Sequence, residues 1–331
     1  MGMTASVNGM KKIRDSSDRC RFQRNLLRWF DRHKRDLPWR QDHDPYRVWL
    51  SEIMLQQTRV AAVIEHYRRF LRRFPSVEKL ASARETSVLA AWSGLGYYRR
   101  ARMLHAAAKK IVNECGGEFP ENAEGLQELP GIGRYTAAAI ASIVFNKPIA
   151  VVDGNVERVL QRVYGRNLSG EDLWNLAGAL VSQRRPGDFN QAMMELGATI
   201  CLPRQPRCLL CPVSDLCAAR GELERPKKAT RQTKRNIYYT LDCRNGSILM
   251  VQRSKNATLM PGMWELPEIT NPGTTPHLSL RHCITVTDYI VRVFRRPVLD
   301  DLDGRWVRTS RVTSLPLTGL TRKILRAAKI I

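Results

Sequence analysis

Along the first two thirds of the chain, apolar residues recur every three or four positions, which is the spacing of one face of an α-helix. Residues 18–35 form a basic stretch whose large apolar side chains fall on one side of such a helix: Phe22, Leu26, Trp29 and Phe30. Another helix opens at Asp44-Pro45, where a capping residue precedes a proline suited to the first helical position. Further helices are predicted at about 60–74, 76–93, 98–114, 122–128, 154–164, 170–184 and 188–200.

The pattern changes after about residue 236, where short runs of β-branched and aromatic residues are typical of strands. These runs lie at 237–241, 247–251 and 289–294. A final helix is predicted at about 316–329, and the segment 222–236 is charged, with Leu223 as its one large apolar residue. The sequence therefore predicts a mainly α region over 1–221, a basic linker over 222–236 and a small α+β domain over 237–331.

Composition narrows the class of partner. Lysine and arginine number 54 against 31 acidic residues, which gives a net charge of +23 and an isoelectric point near 10.2. Such an excess of positive charge suits a polyanion such as nucleic acid. No apolar run approaches the roughly 20 residues that span a bilayer, and no apolar stretch near the start resembles a secretory signal. We therefore expect a globular protein that binds nucleic acid and has no membrane anchor.

A turn with two glycines joins two predicted helices at residues 129–133 (LPGIG). Pro130 lacks an amide proton, and Gly131 and Gly133 permit positive φ, so the first helix ends there. From Arg134 an alanine-rich helix begins, and the backbone N–H groups of its first turn are suited to bind a phosphate oxygen. A turn of this kind also occurs in many proteins that bind no nucleic acid, so it does not decide the function alone.

Two carboxylates occupy positions that favour a chemical role. The apolar run 148–152 leads directly to Asp153 at the start of a helix, although an aspartate there often serves only as an N-cap. Glu52 has Val48 and Trp49 as near neighbours on the helical wheel, and a carboxyl in apolar surroundings tends to keep its proton. The alternative for Glu52 is a surface position at the edge of the apolar face.

A second turn with two glycines, residues 94–98 (GLGYY), carries adjacent tyrosines and is followed by Arg99, Arg100 and Arg102. Aromatic side chains beside arginines can stack on bases or wedge between them while the arginines bind phosphates. Core tyrosines with solvated arginines would give the same pattern. The turn is therefore a candidate nucleic-acid contact.

Four of the eight cysteines lie close together, in a C-x6-C-x2-C-x5-C pattern formed by Cys201, Cys208, Cys211 and Cys217. Four thiolates at this spacing fit either a tetrahedral zinc ion or an iron–sulfur cluster. Zinc ribbons usually contain two C-x2-C pairs and this chain has one, which favours the cluster. The scattered cysteines Cys20, Cys115, Cys243 and Cys283 are predicted to be packing residues.

Several motifs, taken in order, resemble the MutY family of adenine DNA glycosylases, which belongs to the helix–hairpin–helix, endonuclease III-like superfamily. The motifs are LPWR (37–40), SEIMLQQT (51–58), GLGYYRRAR (94–102), LPGIGRYTA (129–137), VVDGNVERV (151–159), FNQAMMELGA (189–198) and the four cysteines. The C-terminal part resembles the family's Nudix-like domain more loosely, through LMPGMWELP (259–267). The resemblance covers about residues 20–220 without a break.

This resemblance implies a base excision repair enzyme that flips adenine out of duplex DNA where it is mispaired with 8-oxoguanine or guanine. Glu52 would protonate N7 of adenine, and an ionised Asp153, supported by Asn155, would stabilise the oxocarbenium-like sugar. The four cysteines would hold a 4Fe-4S cluster. The enzyme would act as a monomer, in the cytoplasm of a bacterium or the nucleus of a eukaryote.

The resemblance also implies which residues contact DNA. Trp39 and Arg40 would line the adenine pocket, and the remaining contacts would come from Gln57, Leu95, Tyr97, Gly131, Gly133 and Arg134. Tyr135 stands where bifunctional relatives carry the lysine that forms a Schiff base. Because a tyrosine cannot form an imine, the sequence predicts a monofunctional glycosylase that leaves an abasic site.

Two departures from the family concern the C-terminal domain. Ile284-Thr285-Val286 stands in place of a Phe-Ser-His loop, so Thr285 is the candidate contact to the lesion and a weaker preference for 8-oxoguanine is expected. The glutamates of a Nudix hydrolase box are absent after Gly262, so the domain should not hydrolyse nucleotides. Two alternatives stay open: a thymine or uracil mismatch glycosylase, and a non-catalytic iron–sulfur DNA-binding protein.

Overall fold

The structure is a computed structural model and describes residues 13, 15–221, 223, 233–284, 287–298 and 303–331. It contains two compact units that do not follow the order of the chain. The first unit is Met1–Gln56 with Asn113–Pro226, and the second is Gln57–Val112 with Lys227–Ile331. The domain bounds that the sequence predicts stay a prediction.

The helices are α1 (Ser16–His33), α2 (Pro45–Leu55), α3 (Val60–Arg73), α4 (Val77–Ala81), α5 (Glu85–Trp92), α6 (Tyr98–Glu114), α7 (Ala123–Gln127), α8 (Arg134–Ile143), α9 (Gly154–Tyr164), α10 (Gly170–Leu180), α11 (Pro186–Thr199), α12 (Thr309–Val312) and α13 (Gly319–Ala327). Short 3-10 helices lie at Pro38–Arg40, Cys208–Leu210 and Ser214–Leu216. The strands are β1 (Thr233–Thr240), β2 (Cys243–Arg244), β3 (Ser247–Gln252), β4 (Trp264–Glu265), β5 (Leu278–Ile284), β6 (Thr287–Phe294) and β7 (Gly304–Arg308). The prediction of a mainly helical chain with C-terminal strands is confirmed.

Several predicted helix bounds are wrong. Residues 76–93 form two helices, because Arg84 is extended (φ −70°, ψ 137°) and separates α4 from α5. The helix predicted at 170–184 ends at Leu180, since Val181 is also extended (φ −61°, ψ 138°). The start of α2 is as predicted: Pro45 is its first residue, and the Asp44 carboxylate accepts a hydrogen bond from the Arg47 amide at 3.0 Å.

In the first unit, α1, α9, α10 and α11 enclose a core of large apolar residues that includes Phe22, Leu26 and Phe189. Helix α11 approaches its neighbours closely because two of its residues are glycines. A Cβ on Gly197 would lie 2.5 Å from the Cβ of Asn155, and one on Gly187 would lie 2.7 Å from the Ser142 carbonyl oxygen. These contacts fix the distance of α11 from α9 and α8.

The described residues of the second unit form two small sheets. One has the order β1-β6-β5, with β1 and β6 parallel, and the other has β2-β3-β4 with β7 also paired to β3. Strand β1 begins at Thr233, so the last residues of the predicted linker 222–236 belong to a strand. Strands β2, β4, β5 and β7 were not predicted, and β2 and β4 are only two residues long.

The second unit also joins α5 and α6 to the C-terminal segment through buried polar contacts. The hydroxyls of Tyr98 and Ser93 both donate to the Leu317 carbonyl oxygen, at 2.7 and 3.0 Å. Arg322 Nε donates to Ser93 Oγ at 3.0 Å, and Arg102 Nη2 donates to the Pro261 carbonyl oxygen at 2.5 Å. Residues 57–112 are therefore bonded to the segment that carries the strands.

A helix with the length and apolar character needed to cross a bilayer does not occur within the described ranges.

Candidate active site

Glu52 lies on α2 and is almost completely buried, with 6% of its surface exposed. Its neighbours on the helix, including Val48 and Trp49, are buried as well. The surface alternative considered for this residue is therefore wrong, and the prediction of apolar surroundings is confirmed. A carboxyl group in such a place has few water molecules to stabilise its charge.

The hydroxyl of Tyr135, on α8, donates a hydrogen bond to Glu52 Oε2 at 2.7 Å. Burial is the main cause that raises the pKa of Glu52 to about 7, and the negative charge of Asp153 adds to the rise. The Tyr135 hydrogen bond and the positive charge of Arg40 act in the opposite direction. Burial and the negative charges of Glu52 and Asp153 hold the pKa of Tyr135 well above its usual value, so the Tyr135 hydroxyl keeps its proton and remains a donor.

Asp153 is the N-cap of α9. Its Oδ1 accepts hydrogen bonds from the amides of Asn155 and Val156, at 2.9 and 2.8 Å, and its Oδ2 accepts one from Asn155 Nδ2 at 2.9 Å. The positive end of the helix dipole lies at the same place, which favours a negative charge there. Asp153 is half-buried, and its carboxylate is held in one orientation by these donors.

Arg158 extends this arrangement in a way that the sequence did not predict. It is buried, and its Nη2 donates to Asn155 Oδ1 at 2.8 Å and to the Gly197 carbonyl oxygen at 2.7 Å. Its Nε donates to the Cys201 carbonyl oxygen at 2.8 Å. A chain of hydrogen bonds thus runs from Asp153 to the backbone at the first of the four clustered cysteines.

The segment that leads to Asp153 is held by Asn190, which was also missed. Asn190 accepts the Val151 amide at 3.2 Å and donates to the Ile149 carbonyl oxygen at 2.8 Å and to Ser142 Oγ at 2.9 Å. Asn190 is 2% exposed and lies within the FNQAMMELGA motif. A polar residue among the buried residues of α11 is the sequence signal that could have identified it.

Arg40 and Trp39 lie in the 3-10 helix Pro38–Arg40, and Trp39 is buried. Arg40 donates to Gln191 Oε1 at 3.0 Å and to Glu195 Oε2 at 2.9 Å, and its Nη1 donates to the Arg35 carbonyl oxygen at 3.2 Å. Although burial raises the pKa of Glu195, its bonds to Arg35 and the charge of Arg40 bring it below the usual range. Arg40 is thus fixed by a buried carboxylate, and its contact with adenine stays a prediction.

The hairpin that was predicted to bind phosphate joins α7 to α8. Gly131 has a φ of +79°, and Gly133 is the N-cap of α8. Within the described residues, no side chain caps this N-terminus. Arg134 is bonded to the carboxylate of Glu171 and lies over the Trp174 ring, 4.1 Å from its centroid. Gly131, Gly133 and Arg134 are exposed, so this helix N-terminus is suited to an anion, and the phosphate contacts of the three residues stay predictions.

Three predicted DNA contacts belong to the second unit. Gln57 and Tyr97 are exposed, and both have positive φ, +56° and +49°. Leu95 is buried, at 6% exposure, between two glycines. Thr285, the predicted contact to the lesion, lies outside the described residues, and the roles of the other three stay predictions.

The four clustered cysteines line one cavity of about 30 Å³ in the first unit, together with Arg162. Burial raises the pKa of Cys211 to about 12, and the charges of the other three thiols add to the rise. Across the described ranges, no three or more histidine, cysteine, aspartate or glutamate side chains are spaced to hold one metal ion. The four thiols line a common cavity.

Residues 50–172 match the family described as HhH-GPD superfamily base excision DNA repair protein. The chain is 42% identical to the adenine DNA glycosylase of Mus musculus and 40% identical to that of Homo sapiens, with 83% and 81% of this chain covered. It spans 65% and 61% of those two proteins, which is less than two thirds of their length. It is 37% identical to the adenine DNA glycosylase of Buchnera aphidicola subsp. Acyrthosiphon pisum, covering 71% of this chain and 68% of that protein.

Two solved structures resemble the helical part. A thermostable thymine-DNA glycosylase is 33% identical with a TM-score of 0.58, covering 62% of this chain and 97% of that one. Endonuclease III in a non-covalent DNA complex has a TM-score of 0.54 at 20% identity, covering 62% and 97%. The second likeness shows the fold alone: the helical part has the endonuclease III-like fold.

Proposed function

The chain belongs to the MutY family of adenine DNA glycosylases, and we propose that it removes adenine from duplex DNA by hydrolysis of the bond between the base and its sugar. The observation that carries this proposal is the buried Glu52, whose pKa of about 7 lets it hold a proton at neutral pH. A general acid works best when its pKa lies near the working pH.

In the proposed reaction, Glu52 gives its proton to N7 of the flipped adenine. The bond between C1′ and N9 then breaks, and its electron pair leaves with the neutral base. Tyr135 donates to Glu52 Oε2, so the proton is expected to sit on Oε1 and the carboxyl group is held in one orientation. General acid catalysis of this kind contributes typically about 10²–10⁴-fold to the rate.

Asp153 has the complementary task. Loss of the base leaves positive charge on the sugar, and a fixed carboxylate stabilises that charge as it forms. Asn155 and the first amides of α9 hold the Asp153 carboxylate in place by hydrogen bonds before the reaction begins. Water then adds to C1′, its proton is lost, and the product is an abasic site.

We propose that the enzyme is monofunctional. Strand cleavage requires an amine that forms an imine with the sugar, and Tyr135 is a phenol already committed to Glu52. Treatment with borohydride during turnover should therefore trap little covalent complex with DNA. Efficient trapping would contradict this assignment.

The substrate is proposed to be adenine opposite 8-oxoguanine or guanine, with the protein acting as a monomer wherever chromosomal DNA lies. The likeness to a thymine-DNA glycosylase makes thymine opposite guanine the second candidate. Single-turnover base release from A:8-oxoG, A:G, T:G and U:G duplexes separates the two, because only the first two should react. Glu52→Gln should retain duplex binding and lose base release; normal turnover in that variant would remove Glu52 from the mechanism.

The four thiols around one cavity support a shared cofactor, which we propose to be a 4Fe-4S cluster and not a zinc ion. The spacing of these cysteines includes one C-x2-C pair, whereas zinc ribbons usually contain two, and this is the reason for preferring the cluster. The cluster would be held by Cys201, Cys208, Cys211 and Cys217 and would tie the loop at the end of α11 together. Cys208→Ser should lose iron and the yellow-brown colour, whereas the control Cys115→Ser should keep both; a colourless wild type with one zinc ion would contradict the proposal.

A further inference from the structure

The turn between α5 and α6 presents Tyr97 to solvent in a backbone conformation that a tyrosine rarely adopts. Tyr97 is 51% exposed and has a φ of +49°, between Gly96 (φ +72°) and the first residue of α6. Positive φ is unfavourable for a bulky residue, and such conformations persist only where the surroundings impose them.

Arg100 lies directly beneath this tyrosine. Its guanidinium carbon is 5.1 Å from the centroid of the Tyr97 ring and 5.6 Å from the centroid of the Trp92 ring. Trp92 is completely buried and meets the Phe70 ring edge-on at 5.9 Å. Phe70, Trp92, Arg100 and Tyr97 thus form a column of flat groups that runs from the core of the second unit to its surface.

Hydrogen bonds hold the same column to the backbone of the turn. The amide of Arg100 donates to the Tyr97 carbonyl oxygen at 2.8 Å, and its Nη2 donates to the Gly96 carbonyl oxygen at 3.5 Å and to Thr58 Oγ1 at 3.2 Å. Trp92 Nε1 also donates to the Gly96 carbonyl oxygen, at 3.1 Å. The Arg100 side chain therefore contacts both the rings and the backbone of the turn.

Burial strengthens the contact between this cation and the rings. Arg100 is half-buried, and this burial lowers the pKa of its guanidinium to about 10. Cation–π contacts gain strength when the cation is desolvated, and a planar guanidinium can lie flat against a ring as an ammonium cannot.

We propose that Arg100 is a positioning residue, which holds the Tyr97 ring in the orientation needed to insert into the base stack beside the mismatch. The proposal rests on the function proposed above and on the DNA contact that the sequence predicts for Tyr97. Arg100 acts through Tyr97 and does not touch the reacting atoms. Without it, the ring would rotate freely, and each insertion would first have to find the productive orientation.

A double-mutant cycle tests whether Arg100 acts through Tyr97. Arg100→Gln should lower the single-turnover rate of adenine release about tenfold, with affinity for undamaged duplex unchanged within about twofold. In a Tyr97→Ala background the same change should cost less than about twofold. Lys109→Gln removes a positive charge from the exposed side of the same helix and should leave the rate unchanged.

Equal losses in both backgrounds, or no loss in either, would overturn the proposal. If circular dichroism shows that Arg100→Gln does not fold, Arg100→Lys replaces it in the double-mutant cycle, because lysine keeps the charge and lacks the flat face. Arg100→Lys should lower the single-turnover rate several-fold when Tyr97 is present and leave it unchanged in the Tyr97→Ala background.

A second readout separates this proposal from the proposed function. Duplex DNA with 2-aminopurine beside the mismatch should brighten when an aromatic side chain unstacks it, and the Glu52→Gln background prevents base release. Arg100→Gln should reduce the brightening, and Lys109→Gln should not. If the wild type releases no adenine, the proposed function fails while this fluorescence cycle still decides the role of Arg100.

Discussion

Replacing Glu52 by glutamine should stabilise the protein while it abolishes base release. Glutamine has the shape of a protonated glutamate and never carries a charge. The wild-type side chain, in contrast, becomes charged inside a buried site when the pH rises above its pKa of about 7. The group proposed to be essential for chemistry is thus expected to destabilise the fold at neutral and alkaline pH.

The size of the effect follows from the two pKa values. The unfolded chain loses the Glu52 proton near pH 4.5 and the folded chain near pH 7. Between these values the folded state binds one more proton, so the free energy of unfolding of the wild type falls as the pH rises. A difference of about 2.5 pH units at about 1.4 kcal/mol each gives about 3.5 kcal/mol. The glutamine variant lacks this loss, so its advantage should be near zero below pH 4.5 and approach about 3.5 kcal/mol above pH 7.

The measurement is urea unfolding of both proteins between pH 4 and pH 8, followed by the fluorescence of the seven tryptophans. Glu65→Gln, at an exposed position of α3, provides the control for replacing a glutamate outside a buried site, and its advantage over wild type at pH 8 should be smaller than that of Glu52→Gln. An advantage of Glu52→Gln that stays constant across this range, or a variant less stable than wild type at pH 8, would refute the argument.

Two further predictions concern the surroundings of the two carboxylates. Tyr135→Phe removes a donor that favours the charged form of Glu52, so the pKa of Glu52 should rise. The alkaline limb of the pH–rate profile should then shift to higher pH by about one unit, and a shift to lower pH would contradict this. Gly197→Ala places a Cβ 2.5 Å from that of Asn155, which should destabilise the fold by about 1–3 kcal/mol and slow base release. Gly178→Ala, whose added Cβ would have no heavy atom within 4 Å, should neither destabilise the fold nor slow base release. Equal effects of the two alanine variants would contradict the explanation by steric contact.

Much of the active site could be predicted because its signals are local. The periodicity of α2 placed Glu52 near apolar neighbours, and the run 148–152 placed Asp153 at a helix start. The partners of these residues have no such signal: the Tyr135 hydroxyl comes from 83 residues away in sequence, and Arg35 meets Glu195 across 160 residues. Contacts of that kind depend on how helices pack, which a pattern along one helix does not contain.

The fold, like the active site, could be predicted where its signals are local and not where they depend on packing. Long amphipathic helices were found, whereas β2 and β4 are too short for an alternating pattern to be visible. The grouping of residues 57–112 with 227–331 was not anticipated either, because the sequence gives a continuous helical pattern across position 112. Burial of Ser93 and Tyr98 against the Leu317 carbonyl oxygen is the contact that such a pattern cannot predict.

This discontinuous unit has a consequence for how the chain folds during synthesis. The acceptor of the buried Tyr98 hydroxyl lies 219 residues later in the chain. At about 5–20 residues per second, a ribosome needs roughly 10–45 seconds to reach it. During that time α5 and α6 have left the ribosome, but the segment that accepts the hydrogen bonds of Ser93 and Tyr98 has not yet been made. The ribosome is meanwhile making residues of the first unit. The helices made early therefore depend on the last part of the chain, and a nascent chain that stops before residue 227 leaves them open to aggregation or to capture by chaperones.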